Sequence, residues 1–183
     1  TTPCSMVLIS VYDESSASMI RKVGVGIPLE ALEELKAHTP RWSVLQATLR
    51  PEFRLSRSYY IPFEQVPFVF PPELHSVVLT PFDAVRTRVG NAWHPEDTLV
   101  VPLLTAEGEP LGLISVDEPR DGLRPDRPVI DSLELFASQA ALAIETHHQS
   151  AKLSQQIDSL HAELERRQVE LEETRQSLPV LHQ

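Results

Sequence analysis

Cysteine is the scarcest chemistry in this chain, with one thiol, Cys4, among 183 residues. A single cysteine excludes an intrachain disulfide and a cysteine-rich zinc site and suits a reducing compartment, so the expected location is cytoplasmic. Long apolar runs are missing too. No stretch approaches the ~20 residues of a membrane span, and the N-terminus lacks the basic, apolar and small-residue order of a secretion signal, which predicts no direct membrane contact by this fragment. Cations are outnumbered, 16 Lys and Arg against 26 Asp and Glu, for a formal net charge of −10. Such a balance lacks the clustered basic side chains that grip a phosphate backbone, so no nucleic acid is expected as partner. There is no Gly-rich phosphate loop, no H-E-x-x-H, no G-x-S-x-G and no Cys-x-x-Cys, and the chain reads as non-catalytic. It begins almost directly in a strand and stops in charged helix, as a piece of a longer protein would; a membrane-bound parent is compatible with that.

What is present is enough apolar material, 42% of residues, for one packed domain with an appendage. Residues 4–12 and 19–25 read as strands joined by the turn Asp13-Glu14-Ser15-Ser16. Pro28 to Ala37 carries Pro at its start, early acids, Lys36 late and leucines at three-residue spacing, which predicts a short helix. Residues 41–53 suggest a further helical turn or two, and 57–62 an edge or near-edge strand closed by Pro62. The runs LVVPLL at 99–104 and LGLISV at 111–116 flank a polar turn and predict a hairpin. From about Asp131 the period changes to three and four, through Ile130, Leu133, Ala137, Ala140 and Ile144, which predicts a long helix.

The order Val101-Pro102-Leu103, then Leu111 to Asp117, an acidic Pro-Gly loop, then Leu133 to Glu145 resembles the GAF domains of bacterial signalling proteins. The Arg57-Ser58-Tyr59-Tyr60-Ile61-Pro62 strand is similar to one in some bacterial members. The resemblance implies an α+β, PAS-like antiparallel sheet of five to six strands flanked by helices, with a long C-terminal coiled-coil helix. It divides the chain into a sensory domain at 1–149, a coiled-coil dimerisation and signalling helix at 150–178 and a tail at 179–183. It implies an input module of a sensor histidine kinase, nucleotide cyclase or phosphodiesterase type of protein; the alternative is a ligand-free dimerisation or protein-docking module.

By the same resemblance a small molecule sits on one sheet face under the connections of residues 42–93, where the aromatics gather. The candidate ligand residues are Trp42, Arg57, Tyr59, Tyr60, Phe82, Trp93 and His94, a set of aromatic walls with polar tips. The same aromatics could instead close a core over a long loop. No cofactor is named. A covalent tetrapyrrole lacks its loop cysteine, the Asn-Lys-Phe-Asp-Glu set of cyclic-nucleotide binders is missing, and a haem ligand could only be His75 or His94. His147 and His148 read as solvated, and Asp117 and Glu118, neighbours on a strand, point to opposite faces and make a poor acid pair.

Leu153, Ile157, Leu160, Leu164, Arg167, Leu171, Thr174 and Leu178 alternate steps of four and three, the spacing of a coiled-coil seam. A homodimer follows as the expected state, with Leu153, Ile157, Leu160, Leu164 and Leu171 as its seam, Arg167 and Thr174 fixing register, and an unidentified small molecule as the other partner.

Overall fold

The computed structural model describes residues 3–71, 74 and 90–177. It separates into two units, Thr1–Leu142 and Ala143–Gln183. The first holds strands β1 (Cys4–Asp13) and β2 (Ser18–Val25), helices α1 (Leu29–Ala37) and α2 (Trp42–Gln46), and a 3₁₀ turn at Pro51–Phe53. Strands β3 (Arg54–Leu55) and β4 (Ser58–Ile61), a short helix α3 (Val66–Val69), and strands β5 (Thr98–Leu104) and β6 (Pro110–Pro119) follow. A helix α4 (Arg127–Ser177) completes the chain, and its residues from Ala143 onward belong to the second unit.

The strands form one antiparallel sheet in the order β2-β1-β6-β5-β4-β3. The first hairpin is closed by local chemistry. Asp13 Oδ2 accepts Ser15 Oγ at 2.7 Å, Ser16 N at 3.0 Å and Ser16 Oγ at 2.6 Å, folding the β1–β2 turn onto one carboxylate. The central strands read as unbroken apolar runs because both of their faces are covered. On one face Met19, Val100 and Leu113 pack with Tyr12, Trp42, Leu45, Leu49 and Tyr59. Leu99, Val101, Leu103, Ile114 and Val116, alternating with that set, are also buried, and α4 contributes the buried stripe Ile130, Leu133 and Ala137. Cys4, with 0% exposure, lies at the start of β1. Burial, with the Asp117 and Asp121 charges, pushes its thiol up to about 11.

Two glycines let backbones approach. A Cβ at Gly112 would overlap Ser10 O on the neighbouring strand, and Gly26 combines φ +75° with a similar overlap on Ser5 O. Helix α1 ends where Arg21 of β2, itself buried, donates from Nη1 to Leu35 O at 2.5 Å, which also accepts His38 N at 3.1 Å, and to His38 O, tying the end of the helix to the sheet. α4 starts four residues before the Asp131 suggested by periodicity, because Asp126 caps it. Asp126 Oδ1 accepts Val129 N at 3.1 Å, and Pro128 suits a first turn, where its missing N–H costs nothing.

One contact joins α4 to the sheet edge. Glu134, 5% exposed, offers Oε1 to Arg57 N at 2.8 Å, Ser58 N at 2.9 Å and Ser58 Oγ at 2.8 Å, and Oε2 to Ser56 Oγ at 3.0 Å. Arg57 adds Nε to Oε2 at 3.5 Å, Nη2 to Glu134 O at 3.1 Å and Nη1 to Ser138 Oγ at 2.9 Å. Burial alone would raise the Glu134 carboxyl, but the donors from Ser58, Arg57 and Ser56 outweigh it and hold it below the usual carboxylate range.

Two outcomes are expected in denaturant titrations. Gly112→Ala should cost about 1–3 kcal/mol, since the overlap is with backbone that cannot yield without disturbing β1. Glu134→Ala should cost about 1–3 kcal/mol, because it strands the buried amide and hydroxyl donors of Ser58. A carboxyl held low when folded stabilises above its unfolded pKa and loses that contribution as pH falls through the folded one. Glu134→Gln should therefore flatten the acid limb of the stability profile.

Candidate functional site

On the face that carries Trp42 and Leu45 the sheet does not close completely over its coverings, and a cavity of about 130 Å³ remains. β1 supplies Met6 and Leu8, α1 supplies Leu35, and α2 with the turn after it supplies Leu45, Thr48 and Leu49. Leu99 and Val100 of β5 and Leu113, Ser115 and Asp117 of β6 form its floor, and Glu96 and Asp97 also line it. The walls are mostly aliphatic, so the polar groups stand out by position.

Asp97 is buried and fully engaged, with Oδ1 accepting Phe63 N at 2.9 Å and Oδ2 accepting His94 N at 2.9 Å. It thereby pins two segments of the long β4–β5 connection. Asp117 is less satisfied. Its Oδ1 accepts both Trp93 Nε1 at 2.8 Å and the Glu118 amide at 2.7 Å. Burial pushes the Asp117 carboxyl up to about 6; the nearby Glu118 and Asp97 charges act in the same direction, and the two hydrogen bonds oppose them.

The residues expected from sequence to share one site fall into separate groups. Trp42 and Tyr59 pack together on the cluster of Met19, Val100 and Leu113. Tyr60, next along β4, turns the other way and sets its ring 6.0 Å from that of Trp93, with the Arg124 guanidinium 5.3 Å from the Tyr60 centroid. His94 stacks on Phe63 at 3.7 Å, and its Nδ1 accepts Glu96 N at 3.2 Å. Arg57 is committed to Glu134 and Ser138. None of these six lines the cavity, although Trp93 touches it through Asp117. Phe82 and His75 lie outside the described residues.

The cavity is built instead from residues outside that candidate set, chiefly Leu35, Leu45, Leu49 and Leu113, together with Ser115 and Asp117. The one available signal was an acid at the end of the apolar run LGLISVD. Asp117 and Glu118 do not share a site, since Glu118 is exposed and takes a φ of +50° near the end of β6. Among the described residues no group of three or more His, Cys, Asp or Glu could hold a metal ion, and no helix is long and apolar enough to cross a membrane.

In the second unit the helix carries Leu153, Ile157, Leu160, Leu164 and Leu171, each between 45% and 69% exposed. Leu178 and the 179–183 tail lie outside the described residues.

A family model described as the GAF domain matches residues 4–144. Among solved structures, the GAF domain/HD domain protein from Geobacter sulfurreducens is similar at 14% identity and a TM-score of 0.54, over 78% of this chain and 81% of that one. The GAF domain from an Acinetobacter phosphoenolpyruvate-protein phosphotransferase is similar at 12% identity and a TM-score of 0.49, over 79% and 74%. Residues 122 to 287 of a methyl-accepting chemotaxis protein are similar at 19% identity and a TM-score of 0.48, over 78% and 79%. No curated protein matches the chain. At such identities the Geobacter structure speaks for the fold alone.

The raised Asp117 value carries a pH signature. A carboxyl that rises from 3.8 to about 6 on folding stabilises fully below pH 3.8 and loses that contribution as pH climbs through about 6. Asp117→Asn keeps an acceptor for the Trp93 indole. In thermal melts it should be more stable than the natural chain at pH 8, by at most about 3 kcal/mol at ~1.4 kcal/mol per pH unit, and the gap should close at pH 4.

Proposed function

The chain belongs to the GAF domain family, and on that premise we propose that it is the cytoplasmic regulatory input module of a signal-transduction protein. In this reading the cavity is a small-ligand site, α4 pairs with a second copy, and the pair relays the state of the cavity to an output domain such as a histidine kinase, nucleotide cyclase or phosphodiesterase. The module itself is non-catalytic.

One observation carries the reading. A single helix buries Ile130, Leu133, Glu134 and Ala137 in the first unit and exposes a row of leucines at seam spacing in the second. An isolated helix gains nothing from that row, whereas two copies would bury it at ~25 cal/mol per Å². β5 supplies cavity wall through Val100, Tyr59 of β4 pairs with Val100, and the β3–β4 turn is bonded to Glu134, so a continuous set of contacts leads from the cavity to the helix. A ligand that favours one arrangement of this set would shift the helix population by its differential affinity.

Light scattering on the full chain should give twice the chain mass, and the double substitution Leu160→Glu with Leu164→Glu should give the single mass with an unchanged fold by circular dichroism. A dimer that survives both charges would remove the seam from the reading. Native mass spectrometry of the purified chain supplies the ligand arm, with added non-covalent mass expected.

A further inference from the structure

The cavity has a polar edge that selects among ligands. Ser115 and Asp117 stand two residues apart on β6, so their side chains share a face about 7 Å apart along the strand, and both line the cavity. The Trp93 indole and the Glu118 amide both donate to Oδ1 of Asp117. Among the described residues no donor meets Asp117 Oδ2, and none meets the Ser115 hydroxyl. Of the other lining residues Leu8, Leu35, Leu45 and Leu113 offer hydrocarbon, Thr48 adds a hydroxyl and Glu96 and Asp97 add further acids, and no described Lys or Arg lines the space.

We propose that the cavity takes a small amphiphile of about benzene's size, its apolar body on the leucines and its one hydrogen-bond donor, an ammonium group above all, at Asp117 Oδ2 and Ser115 Oγ. The size follows from the volume of about 130 Å³, since an apolar cavity of ~150 Å³ accommodates benzene. The charge preference follows from the half-satisfied carboxylate. An ammonium brings three donors and the opposite charge to a half-buried carboxylate whose second oxygen meets no described donor, and charge-assisted bonds of this kind are the strong ones. A carboxylate or phosphate ligand would set like charges together in a region of low dielectric and gain no donor contact. The proposal rests on the reading of this cavity as the ligand site.

Three isosteric probes separate the ligand class from that reading: 3-methylbutylammonium, 3-methylbutan-1-ol and 3-methylbutanoate, titrated into the full chain at pH 7.5. Calorimetry gives affinity, and methyl-resolved NMR of Leu and Val locates the probe. The ammonium should bind at least tenfold more tightly than the alcohol, shift the methyls of Leu113 and Val100, and outcompete the butanoate. Asp117→Asn should bring ammonium and alcohol within about twofold of each other. Equal binding of all three probes by the natural chain, or preference for the butanoate, overturns the ligand class and leaves the cavity as a site. Methyl shifts confined to residues away from the cavity, or no binding by any probe, overturn the site and the ligand class together. The comparison of probes on the natural chain decides the matter even where the Asn variant fails to fold.

Discussion

A carboxylate that is nine-tenths hidden from water must either keep its proton or be surrounded by donors, and Glu134 is surrounded. Its partners are two backbone amides, two hydroxyls and a guanidinium, all from three consecutive residues, Ser56, Arg57 and Ser58. The hairpin that presents them could not hold itself. β3 is two residues long, its pairing with β4 involves two residue pairs, and Ser56 takes a φ of +67° that non-glycine residues avoid. Helix and hairpin therefore define each other: the turn neutralises the helix's buried acid, and the acid fixes the turn. Much of the sheet's outer half depends on this exchange, because β4 is the strand that links β3 to β5.

The two faces of the sheet solve different problems. On one face the pattern is conventional, with aliphatic side chains buried in alternation, and α4 carries a buried stripe of its own. On the other face the coverings among the described residues are short, chiefly α1 of nine residues and α2 of five, and α2 has no fully buried side chain of its own. Short elements tile a sheet imperfectly, and a cavity of the size seen here is the geometric remainder. Placing Asp117 on its border turns that remainder into something chemically specific, since an acid at such a place lowers stability at neutral pH and is unexpected in a purely structural core.

The elements legible in the sequence were those whose burial repeats with a fixed period. The β1–β2 and β5–β6 hairpins and α4 are long enough for that, and GAF architecture is carried by their order. β3 is too short to show a pattern, and α2 and the 3₁₀ turn emerge only as a diffuse helical tendency between 41 and 53. The candidate site was legible in part. Aromatics draw attention because they are large, yet Trp42 and Tyr59 are spent on the core cluster and Tyr60 faces away from them, a consequence of strand alternation that consecutive tyrosines guarantee. Arg57 could not be assigned from sequence because its partner lies 77 residues away. The cavity walls could not be found at all, since a leucine lining a void and a leucine filling one are written identically.

Cys4 has a practical corollary. A thiol without exposure, held near 11 by burial and by neighbouring carboxylates, supplies almost no thiolate at neutral pH and should stay silent toward maleimides. A cysteine introduced on the surface would then be the sole reactive sulfur, so a fluorophore or spin label can report on either unit while the natural residue stays in place.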